Sequence, residues 1–142
     1  MIYVKDIMSR NVRTIGKGKT IFDAAREMAK WKIGALVIVD RQKPVGIVTE
    51  GDVSKCVAKG MDPKRTLVSF MKKKLVTAEP GERVEVAART MATAGVKKLP
   101  VMEGDKLVGI VTQTDIVSTS FMLVTSLKEM VKARYRPPDF EM

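Results

Sequence analysis

Two stretches of the chain place a threonine and an aspartate at one spacing: Thr49 with Asp52 in GIVTEGD (46–52), and Thr112 with Asp115 in GIVTQTD (109–115). Each follows an apolar, strand-like run and opens a helix-like one. A threonine with an acid three residues on is first a helix start, whose side chains satisfy backbone N–H groups that the opening turn leaves unpaired. The same arrangement can hold a ligand. An ionised aspartate is an acceptor with two oxygens, enough to receive both hydroxyl hydrogens of a ribose 2′,3′-diol. The helix N-terminus beside it attracts phosphate, and the threonine hydroxyl can join that shell. The two roles are compatible, because a cap that faces a cleft can serve both.

The elements that carry these residues are themselves repeated. Sliding the chain by 63 residues aligns Val4–Val53 with Leu67–Ile116 without a gap, and 16 of 50 positions are identical, among them Met8 with Met71, Thr14 with Thr77 and Gly18 with Gly81. Such spread marks a duplicated structural unit. In the first copy VRTI (12–15) reads as a short strand. The apolar positions Ile21, Ala24, Ala25, Met28 and Ala29 then fall at helical spacing within Thr20–Lys32, with Thr20 and Asp23 placed as a capping box. ALVIV (35–39) and PVGIV (44–48) read as a hairpin around DRQK, and a second helix runs from about Asp52 to Lys59. LVTA (75–78), Val84–Ala94, KLPVM (98–102), LVGIV (107–111) and a helix from Asp115 to about Arg134 repeat the order. The expected fold is mixed α/β (α+β): two tandem β-α-β-β-α units, each with a small three-stranded sheet, packed about a pseudo-twofold axis because one unit alone cannot bury its sheet. Clefts between duplicated halves are where small ligands bind.

Composition narrows the chemistry. The chain of 142 residues has no histidine and a single cysteine, Cys56, which excludes an internal disulfide, a Cys/His zinc site and histidine-based catalysis. Nucleophilic or general-base chemistry would rest on scattered carboxylates or lysines, so catalysis is the weakest of three function classes. No apolar run approaches the length of a membrane span and the start MIYVKDIMSR does not read as a signal peptide, so no membrane association and a cytoplasmic location are expected. The net charge of +10 favours anionic partners. A nucleic-acid-binding role is the second class, supported by charge but without a recognition helix, aromatic platform or basic arm. The bland alternative is a solvated, thermophile-like surface, consistent with Asn11 as the sole asparagine and Gln42 and Gln113 as the only glutamines. Lys72, Lys73 and Lys74 read as a solvated link, Met8, Met28, Met71 and Met91 as core, and Trp31 as packing at the end of the first helix or cover over a cleft.

The segments TIFDAAREMAKWKIGALVIVDRQKPVGIVTEGDV and ERVEVAARTMATAGVKKLPVMEGDKLVGIVTQTDIV resemble a tandem pair of cystathionine β-synthase (CBS) domains, over about residues 4–125. The resemblance rests on the helix with its internal Ala-Ala, the LVIV or LPV strand, the GIVT strand, and the aspartate three residues after its threonine. It implies CBS motif 1 at 1–66, CBS motif 2 at 67–125, and a helix end and tail at 126–142. It further implies a stand-alone regulatory module with no required cofactor, which binds an adenosine-containing ligand such as AMP, ADP, ATP or S-adenosylmethionine, forms a disc-shaped homodimer, and acts on a regulated protein the sequence does not identify. This ligand-sensing module is the leading function class.

By the same resemblance each ligand site is composite. One joins Thr49 and Asp52 to Thr77, Ala78, Lys97, Lys98, Leu99 and Pro100, and the other joins Thr112 and Asp115 to Thr14, Ile15, Gly34, Ala35, Leu36 and Val37. Lys97 and Lys98 align with Gly34 and Ala35, so the Asp52 site is expected to prefer the more highly charged nucleotide and the Asp115 site to be more apolar. Where family members often carry an arginine before the aspartate, this chain has Gly51 and Thr114. Ile116, Phe121, Met122, Leu123, Leu127, Met130 and Val131 give the last helix an apolar surface suited to burial in a dimer or against another protein, and RYRPPDFEM ends as a tail.

Overall fold

The computed structural model describes residues 1–70 and 74–134. Met71, Lys72 and Lys73, the Pro-Pro tail, and the side chain of Leu123 lie outside the description. In chain order the elements are α1 (Val4–Ile7), β1 (Thr14–Gly16), α2 (Ile21–Trp31), β2 (Ala35–Asp40), β3 (Lys43–Thr49), α3 (Glu50–Ala58), a 3-10 turn (Leu67–Phe70), α4 (Val84–Ala94), β4 (Lys98–Glu103), β5 (Lys106–Thr112) and α5 (Gln113–Arg134). Among the described residues no helix is long and apolar enough to cross a membrane. The short α1 was not foreseen by the periodicity.

Thr20 and Asp23 do cap α2. The Thr20 hydroxyl accepts from the Asp23 N–H at 3.1 Å and the Asp23 carboxylate accepts from the Thr20 N–H at 2.9 Å. That backbone bond, then the Thr20 hydroxyl, and the charges of Lys19 and Arg26 hold the Asp23 carboxyl below its ordinary pKa. The helices after GIVT start at Glu50 and Gln113, two residues earlier than expected, because each aspartate sits in the third helical position and caps backward.

β1 runs parallel to β2, and β2 antiparallel to β3; β4 and β5 form only an antiparallel pair. The expected third strand of the second sheet, LVTA at 75–78, contributes a single bridge between Ala78 and Val101. Two prolines account for the loss. In the first copy the Val37 N–H donates to the Arg13 carbonyl at 3.1 Å and the Lys17 N–H to the Val39 carbonyl at 3.0 Å. The aligned residues are Pro100 and Pro80, which have no N–H to donate, so the bonds on either side of Ala78 are missing.

Each unit has its own core, built from matching positions: Ile15, Ala24, Met28, Leu36, Ile38 and Val48 in one, and Ala78, Ala87, Met91, Leu99, Val101 and Val111 in the other. The units exchange one residue. Val4 is fully buried in the second core and Leu67 in the first. The exchange is fixed by backbone bonds, Val4 N–H to the Glu82 carbonyl and Leu67 N–H to the Lys19 carbonyl, both at 2.8 Å. Ser9 and Ile110 bond reciprocally at 2.9 Å, and Gly109 is pressed against this segment so closely that an added Cβ would stand 2.7 Å from Met8 Sδ and 2.9 Å from the Ser9 carbonyl.

Candidate functional site

The alternation of GIVT decides what faces a ligand. Val48 and Val111 point into the two cores, while the intervening Ile47 and Ile110 stay half-buried and floor two clefts between the repeats. The larger cleft, about 420 Å3, holds Thr49, Glu50, Gly51, Asp52 and Lys55 from the start of α3, and Gly95, Val96, Lys97 and Lys98 from the opposite repeat. An adjoining hollow of about 130 Å3 shares Ile47, Val96 and Lys98 with it. The smaller cleft, about 160 Å3, is lined by Ser9, Asn11, Val12, Arg13, Ile33, Gly34, Ala35, Lys98, Ile110 and Thr112.

The helix starts that border the clefts are built alike. The Thr49 N–H and hydroxyl both donate to Asp52 Oδ2, at 2.9 and 3.0 Å, and the Thr49 oxygen accepts from the Asp52 N–H at 3.3 Å. In the second copy the Thr112 N–H donates to Asp115 Oδ2 at 2.9 Å and the Asp115 N–H to the Thr112 hydroxyl at 3.1 Å. The first helical N–H is also occupied in both, that of Glu50 by the Gly34 carbonyl at 3.1 Å and that of Gln113 by the Lys97 carbonyl at 2.8 Å. These bonds tie each helix start to the strand entry where the cleft opens.

Thr49, Asp52, Lys97 and Lys98 thus meet in one cleft, and Thr112, Gly34 and Ala35 in the other, with Gly34 lining both. Asp115 is half-buried behind Thr112, and Thr77 is half-buried outside the two clefts. Ile15, Leu36, Ala78 and Leu99 are buried in the two cores, whereas Val37 and Pro100 are buried on the opposite face of their strands, across from Ile47 and Ile110; none of the six lines either cleft. Thr14 and Ile15 border a separate open groove against α2.

Arg13 was missed by sequence reasoning, as were the floor residues. Its guanidinium lies 3.2 Å over the Trp31 ring, whose Nε1 donates to Glu27 at 3.0 Å. Trp31 therefore positions a cation that lines the smaller cleft, which with Lys98 makes that cleft more positive than the alignment of Gly34 and Ala35 with two lysines indicated. The signal was available in part: Arg13 sits beside Thr14 in the VRTI strand, on its opposite face.

A sequence model of the CBS domain family matches residues 4–59 and 67–121. An uncharacterized protein of Methanopyrus kandleri is 33% identical over 135 residues, covering 92% of this chain and 69% of its own length. Several other curated relatives are longer, the chain spanning 23% of a homoserine O-acetyltransferase of Methanohalobium evestigatum, whereas it spans 84% of the CBS domain-containing protein YhcV of Bacillus subtilis. Among solved structures, the CBS domain pair of protein MJ0100 in complex with 5′-methylthioadenosine and S-adenosyl-L-methionine superposes with a TM-score of 0.76 at 34% identity, over 84% of this chain and 95% of that one. A hexameric CBS-CP12 protein from bloom-forming cyanobacteria has a TM-score of 0.76 at 38% identity, over 82% of this chain and 66% of that one.

Proposed function

The chain belongs to the CBS domain family, and on that premise we propose that it is a regulatory module whose two clefts take adenosine-containing ligands: AMP, ADP, ATP or S-adenosylmethionine. The observation that carries this reading is the larger cleft, whose volume lies within the range of about 300–1,000 Å3 common to small-ligand sites. Its rim brings an aspartate, a threonine, a helix start and lysines from the opposite repeat to one opening. The hydrogen bonds that Asp52 accepts from Thr49 all go to Oδ2, which leaves Oδ1 to accept from a ribose hydroxyl. Lys97, Lys98 and the Gly51 N–H are the partners for phosphate, and Ile47 and Val96 are the apolar surfaces for a base. The complex of MJ0100 with two adenosine derivatives supports the ligand class.

Residues 1–66 and 67–125 act together, because each core is completed by a residue of the other. The role is regulatory instead of catalytic, in the cytoplasm, and ligand occupancy is passed to a partner protein. A homodimer covers α5, where Val117, Phe121, Met122 and Val131 are each at least 60% exposed. The hexameric relative supports self-association.

Calorimetric titration with AMP, ADP, ATP and S-adenosylmethionine tests the reading. At least one should bind with micromolar affinity, and the Asp52→Ala, Asp115→Ala double variant should lose that binding while still unfolding cooperatively. No binding by any of the four, or undiminished binding by the folded double variant, would return both aspartates to the role of helix caps alone.

A further inference from the structure

The two clefts repeat a threonine and an isoleucine about the pseudo-twofold axis, but their charges are unequal and one of them is shared. Lys98 is half-buried and stands opposite Thr112 in the β4–β5 register, at the mouth of the smaller cleft. Its ammonium reaches across to the first repeat: a Cβ built on Gly34 would lie 2.9 Å from Lys98 Nζ and 3.8 Å from Glu50 Oε1. Gly34 borders both clefts, and so does Lys98. The other charged lining residues belong to one side only, Glu50, Asp52, Lys55 and Lys97 to the larger cleft and Arg13 to the smaller. Position 35, the counterpart of Lys98, is alanine.

We infer that Lys98 couples the clefts by being a cation they share, so that an anionic ligand in one weakens the binding of a second anion in the other. This rests on the reading of the clefts as adenosine sites and adds a rule for how they fill. A lysine ammonium is a compact charge on a flexible stem, and it can close on a phosphate to one side or the other but not both. The first phosphate draws Lys98 toward its own cleft. The second ligand then meets a neutralised ammonium and a like charge across the axis. An uncharged nucleoside makes no demand on Lys98 and escapes the penalty. The module therefore distinguishes one phosphorylated ligand from two, and favours a mixed pair of one charged and one uncharged ligand.

The test is calorimetric titration of the wild type, Lys98→Met and Ala35→Lys with adenosine and with AMP. Adenosine should fill two sites in all three proteins with similarly spaced affinities. In the wild type the two AMP affinities should be spaced about tenfold further apart than those of adenosine. Lys98→Met should weaken the first AMP step and reduce the spacing to that of adenosine. Ala35→Lys, which supplies the missing counterpart and leaves Lys98 in place, should narrow the spacing by strengthening the second step. AMP affinities spaced as widely in both variants as in the wild type, with adenosine still filling two sites, would overturn the coupling and leave the clefts as adenosine sites. A single adenosine site in the wild type would overturn the coupling as well, and no adenosine binding at all would overturn the reading of the clefts with it.

Discussion

At the scale of single residues, Asp52 closes the helix start through Oδ2, which on the proposed reading leaves Oδ1 for a ribose hydroxyl. This arrangement leaves little to hold a polyphosphate. Gly51, which stands where many family members have arginine, has room for a side chain, since an added Cβ would meet only Thr49 Oγ1 at 3.6 Å, an ordinary contact. Gly51→Arg should tighten ATP binding about tenfold through a charge-assisted bond while leaving adenosine unaffected. Equal tightening of both ligands in the same titration would show that the arginine acts elsewhere than on phosphate. The threonines and aspartates were legible in the sequence because their spacing encodes a cap whether or not a ligand binds. The strand residues were less so: an alternating pattern tells which side chains are apolar, but not that Val37 and Pro100 are fully buried while their cross-strand partners Ile47 and Ile110 reach the clefts. Arg13 was legible only as a strand neighbour of Thr14, because its place in the cleft depends on Trp31, a contact that no local pattern encodes.

At the scale of elements, the duplicate copies act as controls for each other. The helices α2 and α4 end at aligned positions, Lys32 and Gly95, and both turn left-handed there, with φ of 54° and 67°. Glycine adopts that conformation without penalty, whereas a lysine Cβ crowds the following carbonyl. Lys32→Gly should stabilise the protein by about 0.5–1 kcal/mol after allowance for the greater freedom of glycine in the unfolded chain. Thermal unfolding checks this, and a lowered midpoint would mean that the lysine stem makes a compensating contact. The helices and hairpins were readable from periodicity and turn residues alone. The truncated strand before Ala78 was not, although its cause lies in the sequence, because Pro80 and Pro100 act only once the register brings both beside Ala78.

At the scale of the whole molecule, the exchange of Val4 and Leu67 ties the core of each repeat to a residue of the other. Leu67 is fully buried in the core of the repeat that precedes it. Leu67→Ala should cost about 2–5 kcal/mol, the usual range for a buried leucine truncated to alanine. The loss should be shared: calorimetry should show one transition moving to lower temperature, since the unfolding of the first core removes the surface on which the second repeat rests. Two separated transitions would show that the cores are independent. The offset of 63 residues announced two equivalent units, yet not that each finishes the other, since the pairing of Val4 with Leu67 in the alignment is blind to which core receives which side chain.

That exchange also sets an order of events during synthesis. Leu67 leaves the ribosome shortly after the repeat it completes, so the first core can close as soon as the linking turn has emerged. Val4, however, is translated well before Leu99, Val101 and Val111, the strand residues it packs against, and its segment must wait beside a closed domain until they arrive. The pause leaves the apolar side chains of Val4, Ile7 and Met8 uncovered in the nascent chain, where a chaperone or a neighbouring copy on the same message can reach them.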